Sequence, residues 1–227
     1  LKNLHLTLSN FAQLTEKSTL VAFRNSVLLA LFSTVVSIVL GYLVAFRLWR
    51  SKFKNKFLIL VILVLPMWSN ILLRTEALAH ILEPNNIVTS MVSKIVGHEV
   101  HGVELRGTMF AVMFGLVVTY VPFMVMPIYN SLEKIDKSLE EAALDLGLTD
   151  FQKFFKVILP MSVKGIITGS IMVFLPCLSG FAIPEILGSG NVVMIGNVIE
   201  ALFKNMNYNI GSLLALIILV VILVSIT

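Results

Sequence analysis

Apolar residues in this chain gather into five long runs that carry no charge in their middle. The runs are roughly Val27–Phe46, Phe57–Leu73, Thr108–Ile128, Gly165–Leu187 and Ile210–Thr227. A membrane-spanning helix needs about 20 mostly apolar residues, and these runs meet or approach that length. They are too long for strands and do not alternate with period two, unlike the strands of a membrane barrel. The pattern predicts an all-α polytopic membrane protein with five visible transmembrane helices.

The composition agrees with a surface that faces lipid. Of the 227 residues, 57% are hydrophobic and only 13% are charged. Soluble domains carry roughly 25% charged residues, so half that share cannot clothe a water-soluble surface of this size. The single cysteine, Cys177, excludes a disulfide within the chain, and its apolar surroundings predict a small packing residue.

Both ends of the chain look cut. The segment Leu1–Lys17 is polar and lacks an initiator Met, and no cleavable signal peptide is visible there. The apolar run at the other end, Leu213–Thr227, has no polar anchor behind it. We therefore expect residues 1–227 to form a single transmembrane domain, truncated at both ends, with at least one span missing before it.

Positive charge predicts the orientation of the spans. The link Arg47–Lys56 is dense in Lys and Arg, and the link over 130–160 carries several lysines. The links after the second and fourth runs are poorer in positive charge for their length. The positive-inside rule then places the two basic links in the cytoplasm.

Proline interrupts three of the runs, at Pro66, at Pro122 and Pro127, and at Pro176 and Pro184. Proline removes a backbone donor and kinks a helix. One interpretation is ordinary membrane kinks; the other is helices that bend around a substrate path. The residues alone favour neither.

The link over 130–160 predicts two short helices. Ser138 with Glu141 and Thr149 with Gln152 each have the spacing of a capping box. Gly147 suits the left-handed position that ends a helix, so the first helix should run over Leu139–Leu146. Such a hairpin either lies on the membrane surface or docks in a groove of a soluble partner.

The spacing of this link resembles the EAA motif of ABC importer permeases. The motif residues are Glu141, Ala142 and Ala143, then Gly147, then Leu159 and Pro160. The departure from the motif is Val157, where the family often has Ile. The resemblance implies an ABC importer type I permease fold (MetI-like), with 130–160 as the cytoplasmic coupling loop of a permease domain. These six motif residues would then couple the permease to a separate ATPase.

Other segments look like spermidine/putrescine permeases of the PotB type, which usually have six spans. They are Leu6–Phe11, Leu65–Arg74, Tyr120–Tyr129, Leu132–Asp136 and Met194–Ile199. The resemblance implies polyamine import through the bacterial inner (plasma) membrane. It also implies three partners: an ABC ATPase dimer holding ATP-Mg, a second homologous permease, and an extracellular or periplasmic binding protein, which could be lipid-anchored.

A polycation needs carboxylates, carbonyls or aromatic faces along its path. The candidates for a substrate path are Trp68, Asn70, Tyr120, Phe123 and Glu185. Each also has a simpler interpretation. Glu185 could be a solvated acid at the membrane boundary, Asn70 could bond a neighbouring helix, and the aromatics could pack or anchor the interface.

Other chemistry finds little support in the residues. His98 and His101 lack the spacing of a zinc protease, so we expect surface histidines and no metal site. No glycine-rich phosphate loop occurs, which predicts that this chain hydrolyses no ATP, carries no cofactor and has no catalytic residue. No nucleic-acid partner is expected. The rival functions are an ABC permease for another small solute, an ion-gradient-driven transporter or channel, and a membrane scaffold.

Overall fold

The computed structural model describes residues 16–84 and 104–226, and every regular element among them is a helix. The elements in chain order are α1 (Lys17–Arg50), α2 (Lys56–Val64), a 3₁₀ turn (Leu65–Trp68), α3 (Ile71–Ile81), α4 (Met109–Glu133), α5 (Lys137–Asp145), α6 (Asp150–Lys153), a π turn (Phe154–Ile158), α7 (Leu159–Ser179), α8 (Ala182–Gly188), α9 (Ile195–Lys204) and α10 (Tyr208–Ile226).

Within the described residues, three helices are long and apolar enough to cross a membrane. They are α1, α4 and the continuous helix Asp150–Ser179. The pair Lys56–Trp68 and Ile71–Ile81 adds a fourth span if both halves count as one bent span, and α10 is a shorter apolar helix. The prediction of an all-α polytopic membrane protein is confirmed.

Two of the predicted spans are not single helices. Ser69 adopts an extended conformation after the 3₁₀ turn that contains Pro66, and α3 begins only at Ile71. The run Gly165–Leu187 breaks at Gly180, between α7 and α8. These are two of the runs in which proline predicted an interruption, and the first bends by 94° between its two halves. At Pro66 the missing backbone donor favours such a break.

The chain divides into two compact units. The described part of the first unit comprises residues 16–31, 70–84, 104–116 and 175–226. The second unit comprises 32–69 and 117–174. The helices α1, α4 and α7 each contribute a segment to both units.

Glycine allows the helices of the second unit to approach closely. The fully buried side chain of Met124 on α4 lies against Gly41 of α1 and Gly169 of α7. A Cβ atom on either glycine would come within 2.6 Å of a Met124 side-chain atom. Small residues at helix contacts let membrane helices approach closely and gain van der Waals contacts. These contacts matter because the hydrophobic effect does not drive helices together within lipid.

In the first unit the start of α9 is held by side-chain bonds to α1. Ser26 Oγ accepts a hydrogen bond from the Ile195 backbone N–H at 2.8 Å, and Asn25 Nδ2 donates to the Val193 carbonyl at 3.2 Å. Gly196 fits against the α7–α8 break, where a Cβ atom would lie 2.7 Å from the Ser179 carbonyl oxygen. These contacts fix α9 against α1 and the break.

We predict that Gly165→Ala destabilises the second unit. A methyl group there would lie 2.5 Å from the Pro127 carbonyl oxygen and 2.9 Å from Ile128 Cα, so backbone must move. Overpacking of this kind costs about 1–3 kcal/mol. Thermal unfolding in detergent measures it. Gly211→Ala is the control, because its Cβ would meet the Phe203 ring at 3.2 Å, which can shift. Equal unfolding temperatures for the two variants would contradict the packing.

Candidate functional site

The coupling hairpin, defined here as α5, the turn at Gly147 and α6, belongs to the second unit. Its first helix is capped by Asp136, whose Oδ1 accepts a hydrogen bond from the Ser138 backbone N–H at 3.0 Å. That bond lowers the pKa of the Asp136 carboxyl. The predicted capping box of Ser138 with Glu141 is therefore wrong. The extended backbone at Asp136 starts the helix earlier and places Glu141 beyond the first turn.

Gly147 ends α5 as the sequence predicted. Its φ of +77° lies in the left-handed region. The Gly147 N–H donates to the Leu144 carbonyl at 2.8 Å, and the Leu148 N–H donates to the Ala143 carbonyl at 3.1 Å. These two bonds form a Schellman motif, which satisfies the last carbonyls of the helix. No atom would obstruct a Cβ at Gly147 within 4 Å, so the backbone angle alone requires glycine.

The second predicted capping box is confirmed. The Gln152 N–H donates to Thr149 Oγ1 at 3.3 Å, and the Thr149 N–H donates to Gln152 Oε1 at 3.1 Å. These reciprocal bonds satisfy two of the free donors at the start of α6.

The helix that begins at Asp150 continues without a break into α7, which corrects the predicted extent of the loop. Leu159 and Pro160 lie inside this helix rather than at the end of a loop. The π turn Phe154–Ile158 comes directly before them, and the Leu159 N–H donates to the Phe154 carbonyl. A π turn widens the helix locally. This widening makes room for the ring of Pro160, which would clash with the carbonyl four residues earlier in a regular helix. The non-helical part of the link therefore ends at Thr149.

Glu140 is a structural residue that the sequence analysis missed. Its side chain is 11% exposed, and its Oε2 lies 2.6 Å from Arg50 Nη2 and 3.8 Å from Lys153 Nζ. Lys153 is 7% exposed and also pairs with Asp150 at 2.9 Å. The motif glutamate, Glu141, is exposed instead. Because Arg50 is 90 residues away, no local pattern could reveal which glutamate turns inward.

Aromatic rings support this ion pair at the end of α1. The Arg50 guanidinium lies over the rings of Phe46 and Trp49, at 5.6 and 4.7 Å from their centroids. The Phe154 ring meets Tyr42 and Phe46 edge to face, at 5.7 and 5.2 Å. Cation–π contacts of this kind help to orient the guanidinium. The hairpin is thus held against α1 through charge, and the π turn that follows it is held there through ring packing.

The opposite face of the hairpin is exposed and largely apolar. Ala143 faces inward at 3% exposure, whereas Leu146 is 82% exposed. The exposed residues Leu139, Ala142 and Leu146 follow the i, i+3, i+7 spacing of one helix face. The structure therefore separates the motif into an inward Ala143 and an outward Glu141 and Ala142.

The structure places Tyr120 and Phe123, two substrate-path candidates, side by side on α4. Their ring centroids are 6.3 Å apart, and both are partly exposed. Trp68, in the same unit, is 90% exposed on the 3₁₀ turn.

The other two candidates, Asn70 and Glu185, belong to the first unit. Asn70 caps α3, because its Oδ1 accepts a hydrogen bond from the Leu72 N–H at 2.8 Å. A bond from Asn70 to a neighbouring helix stays a prediction. The carboxylate of Glu185 is on the exposed side of α8 and accepts a bond from Asn197 Nδ2 at 3.0 Å. Glu185 therefore keeps a bonded but accessible carboxylate.

The described residues 16–84 and 104–226 contain no cluster of three His, Cys, Asp or Glu able to hold a metal. His98 and His101 lie outside the described residues.

We predict that Glu140→Gln destabilises the coupling hairpin, whereas the neighbouring Glu141→Gln does not. Removing the charge of Glu140 leaves Lys153 with only the exposed Asp150, which costs about 1–3 kcal/mol. Protease cleavage within the hairpin should accelerate accordingly, while the rest of the chain stays folded. A cleavage rate that responds equally to both variants would contradict the assignment of Glu140 as the anchor.

Comparison with known proteins places this geometry in a family. Residues 37–227 match the family described as binding-protein-dependent transport system inner membrane component. The chain is 35% identical over 208 residues to the spermidine/putrescine transport system permease protein PotB of Haemophilus influenzae, covering 91% of this chain and 72% of that protein. The Escherichia coli PotB protein is 36% identical over 199 residues, with 88% and 72% covered.

Solved structures show the same fold. A bacterial ABC transporter involved in import of the acidic polysaccharide alginate aligns with a TM-score of 0.81 at 19% identity, covering 99% of this chain and 82% of that one. The alginate transporter bound to a periplasmic protein carrying an alginate pentasaccharide aligns with a TM-score of 0.79. The fold is that of an ABC importer permease, as the sequence predicted. The chain belongs to the family of binding-protein-dependent transport system inner membrane components.

Proposed function

We propose that this chain is a permease subunit of an ATP-driven importer that carries spermidine and putrescine across the bacterial inner membrane. Its relatives at 35% and 36% identity are named as spermidine/putrescine permeases. The family consists of transport components and not of enzymes. Membership of a transport family disfavours a membrane scaffold that transports nothing. ATP-Mg would be bound by a separate ATPase pair, and a second permease would complete the pore.

The observation that carries the proposal is the anchored hairpin with its exposed apolar face. A short helix fixed by a buried carboxylate and ended by a left-handed glycine can transmit displacement as a rigid element. The exposed face around Ala142 and Leu146 offers small and apolar surface to a groove in an ATPase. Movement of that ATPase would then be passed to α1 through the pair of Glu140 with Arg50.

The π turn gives a route from the hairpin into a membrane span. Because α6 continues into α7, displacement of the hairpin acts on the helix Asp150–Ser179 directly. A π turn marks a place where helical bonding already deviates, so bending there disrupts fewer regular bonds than elsewhere. Alternating access would follow from rocking of this span as the ATPases close and open.

We propose that Glu185 meets the cationic substrate. Its carboxylate is exposed on α8, and Asn197 fixes one of its oxygens. An ammonium group could pair with the accessible carboxylate of Glu185. Separately, in the second unit, the partly exposed rings of Tyr120 and Phe123 offer faces suited to a cation. The binding protein would deliver substrate on the side of the membrane opposite the hairpin.

Gly147→Pro should release the ATPase from the permease. Proline fixes φ near −65°, which is incompatible with the observed +77° and with the Schellman bonds. The measurement is copurification of the ATPase subunit with the tagged permease. Gly190→Pro is the control, since Gly190 has the same φ of +77° in a turn of the first unit. Full ATPase recovery and normal uptake with Gly147→Pro would contradict the coupling role.

Glu185→Gln should weaken polyamine uptake into vesicles whose membrane contains the ATP-driven transporter. Loss of a charged hydrogen-bond partner should raise the apparent KM for spermidine about tenfold or more. Glu76→Gln serves as the control, because Glu76 is an exposed glutamate on α3 in the same unit. An unchanged KM would remove Glu185 from the path. Failure of spermidine to compete with the transported solute would contradict polyamine transport itself and favour another solute.

A further inference from the structure

An open apolar groove with a volume of about 850 Å³ lies in the second unit. One wall is α2 with the following 3₁₀ turn, and the other is the last part of α4. Lys54 precedes α2 at one end, and Trp68 closes the 3₁₀ turn at the other. From the helical rise, this wall is roughly 20 Å long, comparable to half the thickness of a bilayer with its headgroups.

The lining of this groove is unsuited to water. Leu58, Leu65 and Met126 contribute to it, and all three are substantially exposed, the first two at 57% and 59%. An apolar groove within the membrane is filled either by an acyl chain or by another protein surface, because apolar surface is more stable when it is out of contact with water. The charge at its end distinguishes these occupants.

The end of the groove at the α1–α2 link is basic. Lys54 and Lys56 both line it, against a single carboxylate, Glu133. Lys56 Nζ donates to the Trp49 carbonyl at 2.6 Å, which holds this lysine at the groove. The link that contains these residues is the most basic in the chain, and the positive-inside rule places it at the cytoplasmic surface. There it meets the negative potential of the inner leaflet.

We propose that this groove binds one anionic phospholipid of the inner leaflet. Its phosphate would lie against Lys54 and Lys56, and an acyl chain would follow the apolar wall of α2. A second copy of this chain, docked through the same surface, would bring the same lysines together, which disfavours a symmetric protein occupant. The proposed headgroup position adjoins Trp49, whose ring stacks on the Arg50 that anchors the coupling hairpin.

The test uses the purified transporter complex in phosphatidylcholine vesicles containing phosphatidylglycerol with a diazirine on its acyl chain. After photolysis, mass spectrometry locates labelled peptides. We expect labels on the α2 and α4 walls, near Leu58 and Met126. Lys54→Gln should lower this labelling about fivefold, as expected for one basic residue at an anionic headgroup. Lys52→Gln, a neighbour that does not line the groove, should retain most of it.

Two further outcomes complete the test. Val61→Trp, which fills the groove from an exposed position on α2, should abolish the labelling while Lys54 is intact. Diazirine-bearing phosphatidylcholine should label the groove weakly, with no dependence on Lys54. Unlabelled walls, or equal losses for Lys54→Gln and Lys52→Gln, would overturn the proposal. So would efficient cross-linking of a Val61→Cys variant to the second permease, which would make the groove a protein interface.

Discussion

The buried carboxylate of Glu140 holds the coupling hairpin in place against the end of α1. It joins the end of α1 to the end of α6 through Arg50 and Lys153. Removing one partner of a buried pair costs far more than losing an exposed one, because the remaining charge is left without compensation. Glu140 and Lys153 are both largely buried, whereas Arg50 is 42% exposed. The hydrogen-bonded contact of Glu140 is therefore the one to α1, at 2.6 Å, and the buried Lys153 at 3.8 Å adds an electrostatic link between the two hairpin helices.

This anchor explains why the motif splits into two faces. A helix that turns Glu140 and Ala143 inward must turn Glu141, Ala142 and Leu146 outward. The outward face then needs no structural role and is available to a partner. The left-handed turn at Gly147 limits the length of α5, so that the face stays short and rigid. The continuous helix Asp150–Ser179 connects the hairpin to a membrane span.

Local patterns predicted several features that depend on neighbouring residues, although they placed the cap of α5 at Ser138 and not at Asp136. Apolar runs indicated helical spans because lipid leaves few alternatives, and the turn at Gly147 and the cap at Thr149 follow from contacts within a few residues. Features set by distant contacts escaped prediction. The pairing of Glu140 with Arg50, for example, joins residues 90 positions apart.

The central claim is that the exposed face of α5 contacts an ATPase. Cysteine cross-linking tests it most directly, in a Cys177→Ala background of the assembled transporter. A cysteine placed at Leu146, which is 82% exposed, should cross-link to the ATPase with a short bifunctional reagent. A cysteine at Met206, which is 75% exposed in the first unit, should not. Cross-links to the ATPase from position 206 and none from position 146 would contradict the account.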